Sequence, residues 1–210
     1  MSEVIEQRTE TVPTPAPAPV AVGSPAVLGV PMFVAGSIAL GLVLTGYVPA
    51  TAVGASIPII MTATGVGLLI AAVWAAALAQ NAVAAIFGIF SGFWLSYAAL
   101  VLGLVNAWFG IIAEDVVKTQ ELFLLTWLIV ITLLTLGSLR LPLAFPLLFG
   151  LISVALLLVL LGTANASTST LKLGGYVVFA FAALGAYLFL DAMSQATGGK
   201  ALPLGSTILK

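Results

Sequence analysis

Six times along this chain a continuously apolar run of roughly 20 residues recurs, the length a helix needs to cross a hydrocarbon core about 30 Å thick. The runs are read at about Val27 to Tyr47, Ala52 to Leu78, Val83 to Trp108, Leu122 to Leu139, Leu143 to Thr163 and Leu173 to Ala192. They do not alternate as barrel strands would, and in lipid every backbone group must find a partner within its own segment, so helices are preferred. Between them stand "YVPAT", "AQN", a loop holding Glu114, Asp115, Lys118 and Glu121, Arg140 with Pro142 at the start of the fifth run, and "TANASTSTLK". The fold class is therefore an all-α integral membrane protein with six transmembrane helices.

Composition closes off most other functions. Hydrophobic residues make up 62% of the 210 and charged residues 6%, against about 25% in soluble domains. Six Lys and Arg against seven Asp and Glu leave a net charge of −1, too little positive charge for nucleic acid. Cysteine and histidine are absent, which removes thiol chemistry, the usual zinc ligands and the usual general base. No catalytic residue, metal site or cofactor is expected, and an enzyme is disfavoured; the lipid bilayer is the first partner.

Residues 1–24 read as a Pro/Ala-rich tail, 25–195 as the six-helix domain and 196–210 as a second tail. The opening "MSEVIEQRTE" lacks the basic start and apolar core of a signal peptide. An even number of spans puts both tails on one side. Arg8, Arg140, Lys200 and Lys210 share that side, whereas Lys118 and Lys172 share the other with three acidic residues, so both tails are expected in the cytoplasm, with the protein in the cell membrane.

The third run contains "FSGFWLSYA". Plotted at 100° per residue, Gly88, Gly92, Ser96, Ala99 and Gly103 fall on one face, with Phe90, Phe93, Trp94 and Tyr97 roughly opposite. The small face, with similar residues Gly29 and Gly36 in the first run, suits close approach of another backbone. The ring face looks at lipid, at another helix or at a pore, and the residues alone favour lipid or packing. Trp74, Trp108, Trp127 and Tyr176 read as interfacial anchors or packing. Asp191, in "YLFLDAMSQ", is the acidic residue closest to bilayer depth and a candidate on a solute path, though at the interface it would simply be hydrated. Glu114 and Asp115 read as a solvated loop.

"FSGFWLSYA" resembles a segment of the acetate uptake transporter family, also called the GPR1/FUN34/YaaH family. "SPAVLGVPMF" (Ser24 to Phe33) is similar to that family's N-terminal signature, "ALPLG" (Ala201 to Gly205) to its C-terminal one, and the stretch from "LGSLRLPLAF" onward to its fourth-to-fifth span region. The resemblance implies a six-helix protomer assembled as a hexamer, each protomer passing acetate, succinate or a related small carboxylate, with protons as a coupled partner. It also implies an apolar constriction, whose residues fall on Phe33, Phe90 and Ile152. The candidate polar residues along such a path are Ser24, Ser91 and Asp191. The chain departs from the family pattern: the signature Asn is Ser24, a Pro is Val27, a "TSY" triplet is "GIF" (Gly88 to Phe90), and a Gln and a Glu of the second span are Leu68 and Ala75. Two competing readings follow from this thinning of polar groups: a channel for ammonia or another small neutral solute, and a structural or sensory membrane protein without a permeation site.

Overall fold

The structure, a computed structural model, describes residues 23–210. The first tail thus lies almost wholly outside the described residues. Six helices are long and apolar enough to cross a membrane. Five are regular: α1 (Ala26–Thr45), α3 (Asn81–Val105), α4 (Val116–Gly137), α5 (Ala144–Ala164) and α6 (Thr168–Ala196). The second span is composite. A 3₁₀ segment (Ala50–Ser56) and a π-helical segment (Ile59–Val66) lead into α2 (Gly67–Ala77). Alternation of direction places the start of α1 and the end of α6 at one end of the bundle, here the terminal end. The end of α1 and the start of α6 lie at the other, the loop end.

Helix boundaries follow local chemistry. Gly46, at φ 88°, closes α1 with its N–H on the Val43 carbonyl and the Tyr47 N–H on that of Leu42. This is the left-handed cap that glycine adopts without a Cβ penalty. Ser167 caps α6, its Oγ accepting from the Thr170 N–H at 3.3 Å. Helix α6 therefore begins at Thr168, before the apolar run at Leu173, and α4 begins at Val116, before Leu122. In α4 the early start carries Lys118 and Glu121 on its first turns, where they form an ion pair at 2.6 Å.

Packing divides the bundle unevenly. Helix α1 lies along α6, α6 along α5, and α5 along α4; α2 and the π-helical segment pack on α3 and α1. The α1–α6 seam is tight because glycines line it: a Cβ on Gly175 would stand 2.9 Å from that of Leu44 and 3.2 Å from the Thr45 backbone nitrogen. Helix α3, by contrast, has no extensive backbone approach to α5 or α6. Side chains alone bridge that interval.

The C-terminal segment is expected from the sequence to be a tail, and instead is tied down. Leu139 accepts from the Ile208 and Leu209 N–H groups, the Ala144 N–H donates to Leu204, and the Tyr187 hydroxyl donates to Pro203 at 3.0 Å. Residues 200–209 therefore run across the α4–α5 turn and the end of α6.

Candidate functional site

The interval between α3 and the α5–α6 pair is filled by aromatic rings. Phe90 of α3 meets Phe33 of α1 edge to face at 5.0 Å between centroids, and meets Phe149 of α5 at 5.8 Å. Phe33 in turn meets Phe181 of α6 at 5.8 Å. Edge-to-face and tilted contacts at these distances suit the ring quadrupole, each adding about 0.5–1.5 kcal/mol beyond area burial. Four helices thus contribute one ring each, and all four rings are buried.

A cavity lies on each side of this layer, with Phe33 and Phe90 as walls of both. The terminal-side cavity, about 110 Å³, is bounded by Val30, Phe87, Phe145, Leu148 and Leu188 among others. The loop-side cavity, about 70 Å³, is bounded by Leu40, Trp94, Tyr97, Ile152, Leu156 and Phe181 among others. The lining residues shift along each helix in the sense its direction requires: α1 contributes Val30 to the first and Leu40 to the second, and α6 contributes Leu188 and then Phe181. The two spaces are therefore stacked along the bundle, with the ring layer between them.

The structure brings Phe33, Phe90 and Ile152 to one place, all three bordering the loop-side cavity. It also adds Phe149 and Phe181, which the sequence reading missed. Phe149 precedes Ile152 by three residues, one helical turn on the same face. Phe181 stands between inward-facing Val178 and Gly185 in α6. Periodicity places each ring on the face of those neighbours, but which face looks inward shows only in the structure.

The ring face of α3 points inward, not to lipid: Phe90, Phe93 and Trp94 are buried and Tyr97 is half-buried. Trp127 of α4 packs edge to face on Phe93 at 5.4 Å. The small face divides, with Gly88, Gly92 and Ala99 exposed on the bundle surface and Gly103 beneath Phe109. Gly29 and Gly36 serve packing inside the protomer, against Phe87 and Thr64.

The polar candidates lie elsewhere. Ser24 is exposed ahead of α1. Ser91 is buried and donates to the Gly65 carbonyl at 2.9 Å, joining α3 to the π-helical segment. Asp191 is only 7% exposed, so it is not the hydrated interfacial residue the sequence also allowed. Its carboxylate accepts from the Leu202 N–H at 2.7 Å and from Gln195 Nε2 at 3.0 Å, which fastens the C-terminal segment to α6. None of the three borders either cavity. Leu68 and Ala75 are fully buried packing residues.

The ring layer therefore offers a solute almost no polar contact. Transfer of an isolated carboxylate from water to such a medium has an idealised cost of order 20 kcal/mol, against a few for an uncharged polar group. Among the described residues no cluster of His, Cys, Asp and Glu is placed to hold a metal ion.

No curated protein matches the chain by sequence. Among solved structures, the bacterial acetate channel SatP superposes with a TM-score of 0.77 at 19% identity, covering 88% of this chain and 100% of that one. At that identity the likeness establishes the fold. The model of the GPR1/FUN34/yaaH family matches residues 8–199, nearly the whole sequence, and the chain thus belongs to the GPR1/FUN34/yaaH family.

Proposed function

We propose that the protein is a multi-pass channel or transporter of the cell membrane for acetate and related small carboxylates, working as a homo-oligomer with both tails in the cytoplasm. The observation that carries the reading is the pair of stacked cavities meeting at Phe33 and Phe90, with Ile152 beside them. A layer of this kind controls flux by the cost of shedding water at a narrow apolar point. The family and the likeness to an acetate channel support acetate as the solute.

Purified protein in liposomes is expected to accelerate uptake of labelled acetate over protein-free liposomes. Phe90→Ala, which opens the layer, should raise that uptake severalfold or admit larger acids. A well-folded Phe90→Ala protein with unchanged rate and selectivity would remove Phe90 from the path. For the orientation, an impermeant thiol reagent outside the cell should label Ser169→Cys and spare Ser206→Cys; the opposite pattern inverts the topology.

A further inference from the structure

Nearest the tails, the terminal-side cavity is bounded by Ala26 of α1, Val83 of α3, Phe145 of α5 and Leu188 of α6. The C-terminal segment lies across the α5–α6 side of this ring. The Ala144 N–H, one of the donors that a first helical turn leaves pointing out of the helix end, is taken by the Leu204 carbonyl at 3.0 Å. Leu204 therefore sits over the end of α5, next to Phe145, with its side chain half-buried against the core. On α6, Asp191 stands three residues beyond Leu188, close to the same face, and accepts from the Leu202 N–H at 2.7 Å. Leu202 and Leu204 are half-buried, whereas every other residue from 200 to 210 is exposed.

The attachment is strong at one point and weaker elsewhere. Asp191 is a buried, charged acceptor, and hydrogen bonds to a carboxylate are about twice as strong as neutral ones. The bonds from Tyr187 to Pro203 and from the Ser194 hydroxyl to the Lys200 carbonyl are made at the surface. Gly198, at φ 83°, and Gly199 join α6 to the segment, and a Gly-Gly joint turns without Cβ strain. A segment with two half-buried side chains and mostly surface hydrogen bonds belongs to the least stable part of a fold, where local opening is easiest.

We infer that residues 200–209 form a latch on the terminal-side mouth, anchored by Asp191. Fastened, the latch ties the end of α6 to the start of α5 and restricts entry to the terminal-side cavity; released, it leaves that entry open. The inference rests on the reading of the two cavities as a solute path. It gives Asp191 a part in gating, through the segment it holds, although its oxygens border neither cavity. The latch governs one mouth alone, because the loop-side cavity lies beyond the ring layer.

The chain lacks cysteine, so a single introduced thiol reports access cleanly. The full-length protein in mild detergent carries Val30→Cys in the terminal-side cavity or Val178→Cys in the loop-side one. Methyl methanethiosulfonate, small and uncharged, is the probe, and modification is followed by mass spectrometry. Adding Asp191→Ala should speed modification at position 30 by about tenfold, the order expected for loss of a charge-assisted hydrogen bond, and leave position 178 unchanged. Asp191→Asn, which keeps an oxygen for the Leu202 N–H, should retain the slow rate. Tyr187→Phe removes only the bond to Pro203 and should speed position 30 by about threefold, which decides the matter if Asp191→Ala does not fold. Pro142 and Thr207 are antiparallel bridge partners, a spacing a disulfide can span. Pro142→Cys with Thr207→Cys should therefore lower acetate uptake into liposomes when oxidised and restore it when reduced. Position 30 reacting at the unaltered rate in both release variants, positions 30 and 178 speeding together, or uptake indifferent to the disulfide overturns the latch and leaves the transport reading standing. Absence of acetate uptake by the unsubstituted protein, alongside the expected labelling, removes the transport reading and supports the latch as a gate to the cavity.

Discussion

Two contacts in this bundle join spans of similar mean hydropathy and have opposite geometry. Along α1 and α6, Gly41, Gly175 and Gly185 let the backbones come together, and a Cβ on Gly41 would stand 2.7 Å from the Phe179 ring. Between α3 and the α5–α6 pair, rings on both sides hold the backbones apart, with Phe90 and Phe149 spanning the interval at 5.8 Å. Hydropathy does not distinguish these regions. Side-chain size does, because in lipid the association of helices rests on packing and not on exclusion of water. A tight seam and a ring-filled interval can thus be written in one apolar alphabet.

The comparison breaks most visibly at Gly175. Gly175→Leu inserts a branched side chain against Leu44 and the Thr45 backbone, which cannot retreat, and the expected result is loss of the folded protomer, read by size-exclusion chromatography in mild detergent. A normally folded Gly175→Leu protein would show that the seam is not close-packed. Phe90→Ala, on the ring-filled side, should cost about 3–5 kcal/mol on soluble-protein scales yet leave the fold intact, since the seam bears the assembly of α1 and α6. A drop in thermal stability as severe as that of the seam variant would put the two regions on one footing. The smallest effect is expected at Gly88, which faces neither. A Cβ there meets only Ala72, at 4.0 Å, so Gly88→Ala should shift protomer stability by less than about 0.5 kcal/mol. Should native mass spectrometry find that it dissociates an oligomer, the exposed face of α3 becomes a second seam, between copies.

How far the sequence disclosed this architecture depends on which force set each feature. The bilayer sets span length, so an uncharged run from about Val27 to Tyr47 reports a helix at Ala26–Thr45 to within two residues. Periodicity separates rings from small residues in α3, yet it cannot say which set faces inward, since lipid and protein interior are equally apolar to Phe93. The π-helical turns from Ile59 to Val66 left no signal that composition could carry; they show only where the Ser91 hydroxyl reaches the Gly65 carbonyl. The role of Asp191 was hidden for another reason. Its partner Leu202 is an amide eleven residues away in a Pro/Gly-rich stretch, and backbone donors have no sequence signature. Phe33, Phe90 and Ile152 were reached through family resemblance, whereas Phe149 and Phe181 needed coordinates, because a ring in an apolar helix does not announce its neighbour.

The two cavities beside the ring layer also bear on how the molecule answers to compression. Spaces of about 110 Å³ and 70 Å³ with apolar walls hold water poorly, in the way that engineered hydrocarbon-lined holes stay dry and accept benzene or xenon. Hydrostatic pressure favours whichever state eliminates such voids, through flooding or collapse. A gas atom has no charge, no hydrogen bond and no metabolic meaning, so xenon under modest pressure would mark these hollows by their emptiness alone.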